Sequence, residues 1–302
     1  MLEEQTESGN RRAEHLIEPA ELAERIRAGS AGLRIADMRG EVRLTETPSG
    51  DQKAEYLGNR DAWLNGHIPG AIYLDWTRDI ADENDPIPAQ VASPAKLQAV
   101  FGAAGVDDST EVVAYDAHPA SQFATRLWWV LRYCGHSRVR VLNGGWNRWV
   151  AEGYPVERSI PAPDPRVFPV HLHPEWRSTA DDVRASLGQT GVVLVDARDS
   201  GQYAGTIRRD GRAGHIPGAR SLPRERLTDD RGCFRSEAEL REAVRHAGID
   251  TQHRIIAYCN GGIAATAALF ALSMLGAHNL SDYDGSWNEW GAREELPVEG
   301  PG

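Results

Sequence analysis

Short apolar runs alternate with longer helical patterns along the chain, and the second half shows this most clearly. DDVRASLG (181–188) predicts a short helix, VVLVDAR (192–198) a buried strand and EAELREAVRHAG (237–248) a helix. RIIAYC (254–259) predicts a second buried strand, and AATAALFALSMLG (264–276) a helix closed by Gly276. Apolar strands alternating with helices predict an α/β domain with a mainly parallel sheet flanked by helices. Ligands on such sheets sit at the C-terminal ends of the strands, and Cys259 is the last residue of one of them.

The pattern occurs twice. GHIPGAIYL (66–74) returns as GHIPGARSL (214–222), and VVAYD (112–116) as IIAYC (255–259). NGGWNRW (143–149) returns as DGSWNEW (284–290), and IADMR (35–39) as LVDAR (194–198). Four blocks in one order predict two copies of a globular unit rather than a solenoid. The expected division is a flexible tail over 1–13, a first domain over 14–153, a linker over 154–176 and a second domain over 177–302. YPVERSIPAPDPRVFPVHLHP (154–174) holds six prolines, which exclude helix and central strand and predict an extended segment along the surface.

Composition narrows the partners. The 302 residues are 41% hydrophobic and 25% charged, as in a soluble globular protein, and the net charge of −11 argues against nucleic acid or an anionic membrane. The N-terminus lacks the apolar core of a signal peptide, and the least polar run, Ile263 to Leu275, is too short to span a bilayer. A cytoplasmic protein is expected. The three cysteines, Cys134, Cys233 and Cys259, do not form a disulfide framework. Cys134 reads as a core residue of a helix and Cys233 as a turn residue.

The stretch Cys259-Asn260-Gly261-Gly262-Ile263-Ala264 carries the chemistry. Two glycines let the loop curl so that successive N–H groups converge on an anion, and the helix behind adds its positive end. A sulfur at that centre is expected to be favoured as thiolate, the nucleophilic form, and the same amides would hold a persulfide. Asp116 stands at the matching position of the first copy. A carboxylate carries no sulfane sulfur and repels an anion, so the first domain is expected to be catalytically silent and to form one wall of a cleft between the domains.

Both GHIPGA segments, the LNGGWNRW and DGSWNEW blocks and a Cys-led loop in the second half alone resemble the rhodanese family, specifically its tandem-domain sulfurtransferases. The resemblance covers the chain after the tail. It implies two rhodanese-like domains and a ping-pong transfer without metal or organic cofactor. On that resemblance a small anionic donor, thiosulfate or 3-mercaptopyruvate, would give its sulfur to Cys259, and the persulfide would pass it to cyanide or to a thiol, small or protein-borne. Thiosulfate-type relatives place basic residues after the cysteine, and mercaptopyruvate-type relatives place small neutral ones ending in Thr. This loop is similar to the second type, but Ala264 lacks the hydroxyl proposed to relay protons. Arg209 lines up with a substrate-carboxylate arginine. Gln202 replaces a second arginine, with Arg208 and Arg212 as nearby substitutes. Residues 198–226 hold seven arginines against three acids, suited to drawing in an anion.

Asp37 and Asp196 are read as acceptors that fix neighbouring loops, and His67 and His215 as loop histidines bonded to backbone. HLHP (171–174) lacks the partners of a metal site. The tryptophans are packing anchors, with Trp76 and Trp176 as alternatives for the cleft wall. Two other functions compete. A cysteine phosphatase or arsenate reductase needs an arginine at the loop's end, where Ala264 and Ala265 stand. A persulfide carrier or binding module would load sulfur but turn over small donors slowly.

Overall fold

The computed structural model describes residues 11–209 and 211–300. Twelve strands are formed among them: β1 Leu16–Ile17, β2 Leu33–Asp37, β3 Gly40–Glu46, β4 Gln52–Gly58, β5 Ile72–Tyr73, β6 Glu111–Tyr115, β7 Val139–Leu142, β8 Arg177–Ser178, β9 Val192–Asp196, β10 Arg220–Ser221, β11 Arg254–Tyr258 and β12 Leu280–Tyr283. Ten of them build two five-stranded sheets, in the orders β1-β7-β6-β2-β5 and β8-β12-β11-β9-β10. Every pairing in both is parallel. The two orders are the same once the copies are aligned. The apolar strands lie at the centres, where both faces are covered by helices.

The repeat extends to polar detail. Asp37 accepts from the backbone N–H and guanidinium of Arg39 and from the hydroxyl of Tyr115, and Arg39 also donates to the carbonyl of Gly66. Asp196 accepts likewise from Arg198 and Tyr258, and Arg198 donates to the carbonyl of Gly214. Each arginine lies 4.2 Å from the ring of Trp146 or Trp287. These ion pairs are buried with every carboxylate oxygen bonded, as burial of charge requires.

Among the described residues, one element has no counterpart in the second copy. Strands β3 and β4 form an antiparallel hairpin that pairs Val42 with Tyr56 and Leu44 with Ala54. Its far end meets the second domain: Gln52 N–H donates to the carbonyl of Arg208 at 2.8 Å, and Arg208 pairs with Asp51.

Each domain has a buried cluster of its own, and a third, larger one spans both. The helices Gln122–Tyr133 and Ile263–Met274 occupy equivalent places and pack against each other. Phe123, Leu127, Trp128 and Leu131 of one join Ala264, Ala267, Ala268 and Phe270 of the other in a single buried cluster. Thr125 and Thr266, matched residues, meet Oγ1 to Oγ1 at 3.1 Å. An interface this apolar holds the domains in one orientation.

The Pro-rich segment follows the surface of the first domain. Phe168 is buried against Phe101, and the backbone N–H groups of Arg166 and His171 donate to the carbonyls of Gly102 and Cys134. At the N-terminus, residues 1–10 of the expected tail lie outside the described residues. Residues 11–13 depart from that expectation: they are helical through 15, and Arg12 donates to the carbonyls of Phe234 and Arg235 at 2.8 and 2.9 Å. The guanidinium meets two carbonyls of the second domain, which fixes the segment. Among the described residues no helix is long and apolar enough to cross a membrane.

Candidate active site

Strand β11 ends at Tyr258, and the chain then turns through residues 259–262 into the helix Ile263–Met274. Gly262 makes the turn at φ 73, and a Cβ there would lie 2.9 Å from the carbonyl oxygen of Asp284; both facts require glycine. The DGSWNEW block pins the loop from behind. Cys259 N–H donates to Ser286 Oγ at 3.1 Å, and the Trp287 and Asn288 N–H groups donate to the carbonyls of Cys259 and Asn260 at 3.0 and 2.8 Å. From below, Tyr258 hydroxyl donates to Asp196 Oδ2 at 2.7 Å and accepts from Ile216 N–H.

The backbone amides of Ala265 and Gly261 act on the Cys259 thiol in the direction that favours its anion. The cysteine is 3% exposed and stands at the floor of a cleft of about 280 Å³ between the domains. Asn260, Gly261, Ile263 and Ala264 line the cleft around it; Arg209 and Arg224 supply its cationic side chains, and Glu41 an acid. The first domain contributes Val42, Leu44 and Tyr56 of the hairpin, with His118, Pro119 and Gln122. Gly262 turns the loop without lining the cleft.

The thiol's acidity departs from the sequence expectation. Burial pushes the Cys259 thiol above its ordinary value of 9.0, and the charge of Asp282 pushes the same way. The amides of Ala265 and Gly261 and the Arg224 guanidinium pull it down, but less. The amide cradle is present, yet dry surroundings and a nearby carboxyl outweigh it. Asp282 itself is raised by burial, against the pull of Arg126 and with Asp284 beside it. Because only the thiolate attacks, the rate of sulfur loading is expected to keep climbing with pH through about 9, the thiol's ordinary value. A loading profile already flat between neutrality and that pH, read in single turnovers, would contradict this.

The cradle of the first domain is filled by its own chain. Asp116 accepts the N–H groups of His118, Phe123 and Ala124, each at 2.8 Å. Burial lifts this carboxyl to about 7 against the pull of those amides.

The other anticipated residues fall in different places. Arg209 faces the cleft, with Nε and Nη2 donating to Gln52 Oε1 of the hairpin at 3.1 and 2.9 Å. Arg208 does not: its side chain is 48% exposed and paired with Asp51. Gln202 also lies away from the cleft, since its amide folds back onto Asp199, the N-cap of the helix Ser200–Tyr203. Arg212 is spent on the carbonyls of Trp290, Gly291 and Arg293. His215 stacks on Tyr203 at 3.8 Å and bonds its carbonyl through Nδ1; Asp196 anchors the end of β11 as described. Trp76 packs on Tyr56 and Phe123 and Trp176 on Trp128, so neither lines the cleft. Cys134 caps the helix Gln122–Tyr133, its thiol pushed up to about 12 by burial. Cys233 is buried near Arg148, and burial raises it too. All three thiols are free.

Comparison with known proteins adds the decisive observation. The profile of the rhodanese-like domain matches twice, over residues 18–152 and 179–293. The chain belongs to the rhodanese family, as a tandem-domain sulfurtransferase. Among rhodanese relatives, the thiosulfate sulfurtransferase of Gallus gallus is 32% identical, over 91% of this chain and 92% of that one. The sulfur carrier protein TtuD of Thermus thermophilus is 33% identical, over 77% and 85%. The solved structure of SseA from Escherichia coli, described as showing the rhodanese fold of 3-mercaptopyruvate sulfotransferases, matches with a TM-score of 0.76 at 27% identity. It covers 90% of this chain and 98% of that chain.

The sequence pattern did not single out Arg224, the hairpin or His118 as members of this rhodanese site. Arg224 was one of seven arginines in its segment. The hairpin shows strand alternation, but it has no repeat partner to draw notice.

Proposed function

We propose that Cys259 is the sulfur-carrying nucleophile and that thiosulfate and 3-mercaptopyruvate are both donors. The thiolate attacks the donor's outer sulfur, a Cys259 Sγ–S bond forms, and the donor's bond to that sulfur breaks with its electron pair on the leaving group. Cyanide or a small thiol then attacks the outer sulfur and releases the Cys259 thiolate. The observation that carries this reading is that Cys259, after strand β11 and ahead of a helix N-terminus, lines one interdomain cleft with Arg209 and Arg224. The loop brings no cationic side chain of its own, so recognition of the donor's negative charge falls to those two arginines. Three free, buried cysteines fit a reducing compartment, and we place the enzyme in the cytoplasm.

The test is steady-state turnover of each donor against cyanide, with intact-mass measurement of the protein after donor alone. We expect one added sulfur on Cys259 and turnover with both donors. No sulfur uptake from either donor would overturn the reading. A protein that loads but holds its sulfur against cyanide would be a carrier, the role named for TtuD.

A further inference from the structure

We propose that His118, a residue of the silent domain, contacts the sulfur donor directly and donates a hydrogen bond from Nε2–H to the oxygen on which the leaving group gathers charge. This rests on the proposed role of Cys259 and adds a catalytic residue from the other domain.

His118 lies in the loop that takes the place of the cysteine loop in the first copy, and it lines the same cleft as Cys259, Arg209 and Arg224. Its position is fixed at three points. Its N–H donates to Asp116 Oδ1 at 2.8 Å, its carbonyl accepts from Ser121 N–H at 2.9 Å, and its ring meets Phe123 edge-on at 5.9 Å. The N–H of Ala120 points at Nδ1 from 3.1 Å. That nitrogen is therefore the acceptor, and the ring proton sits on Nε2. Among the described residues, nothing accepts from Nε2. Burial, and then the charge of Arg224, hold the imidazole down at about 4, so it stays neutral at working pH. A neutral, pre-oriented N–H in a water-poor site stabilises a developing oxyanion without having to give up its proton.

The bond changes balance without proton transfer from His118. With thiosulfate, the Cys259 Sγ–S bond forms as the S–S bond breaks, and sulfite leaves with the pair, its oxygens gaining charge. With 3-mercaptopyruvate, the C–S bond breaks and its pair enters the carbonyl to give the enolate of pyruvate, protonated afterwards by water. The outer sulfur keeps its proton as Cys259–S–SH. Either leaving group offers an oxygen to Nε2–H. The second half-reaction offers none, because the group leaving is the Cys259 thiolate.

The experiment measures the two half-reactions separately. His118→Phe keeps the ring's bulk without the donor, and His118→Gln restores an N–H near the position of Nε2. Single-turnover loading should fall on the order of a hundredfold in the Phe variant and recover most of that loss in the Gln variant. Discharge of the preloaded persulfide to cyanide should match the wild type in both. Wild-type loading in the Phe variant, equal slowing of both half-reactions, or no recovery in the Gln variant would overturn the proposal. Sulfur uptake that survives Cys259→Ser would instead bring down the role of Cys259, and this proposal with it.

Discussion

Cys259→Ser is expected to lower kcat/KM for either donor by more than about a thousandfold, roughly 4 kcal/mol of transition-state stabilisation. The serine fits the same space, so the cleft, the amides of Gly261 and Ala265, Arg209 and Arg224 stay in place, and donor binding should survive. What is lost is a nucleophile that forms a covalent bond to sulfur and gives it up again. A hydroxyl has a far higher pKa, and the loop offers no base to activate it. Cys134→Ala and Cys233→Ala are the controls. Cys134 caps a first-domain helix and Cys233 lies against Arg148, so both variants should keep wild-type turnover per folded molecule. Steady-state rates of the three purified variants decide the matter, and undiminished activity in Cys259→Ser would refute the assignment.

The second large effect concerns stability. Arg126 is a first-domain residue, 1% exposed, that reaches into the second domain. Nη1 donates to Asp282 Oδ2 at 3.0 Å and to the carbonyl of Gly262 at 3.3 Å; Nη2 donates to Asp284 Oδ1 at 2.6 Å and to the carbonyl of Ala89 at 3.0 Å. Arg177 gives Asp284 a second cation at 3.1 Å, while Asp282 Oδ1 already lacks a partner. Arg126→Leu would strand two buried carboxyls with one remaining arginine. Removing one member of a buried charge cluster costs about 3–5 kcal/mol, which for a chain of this size lowers Tm on the order of 10 °C. Adding Asp282→Asn and Asp284→Asn to Arg126→Leu should recover part of that loss, because the unpaired charges disappear. Thermal unfolding of the single and triple variants measures both. A single variant that melts with the wild type, or a triple variant that melts lower still, would show that the cluster is not held as described.

The duplication and the alternation of strands with helices were readable because each is stated twice, and the cysteine loop because it lies within one short stretch. Strand β11 and the loop after it need only an apolar run, a cysteine and two glycines. What escaped depends on contacts between distant segments or on the direction of one side chain. Arg208 and Arg209 are neighbours in an extended stretch, where successive side chains point to opposite faces. The pairing of this stretch with Gln52 turns Arg209 to the cleft and Arg208 to Asp51, and sequence position alone carries no sign of which is which. Gln202, read from the resemblance as replacing an arginine, is captured by Asp199. The thiol's raised pKa comes from burial and from Asp282 on another strand, so a glycine-rich loop read in isolation suggests the opposite direction.

The meeting of Thr125 with Thr266 has a consequence for the architecture as a whole. The second copy's central helix is apolar around its circumference, and the first copy's helix covers it with Phe123, Leu127, Trp128 and Leu131 while Arg126 finds its carboxylate partners, Asp282 and Asp284, in the other copy. Neither half possesses an exterior of its own along that seam. The copy without a nucleophile is thus no removable passenger: it serves as half of the reactive copy's interior, and severing the chain between the repeats would leave two sticky fragments in place of two small enzymes.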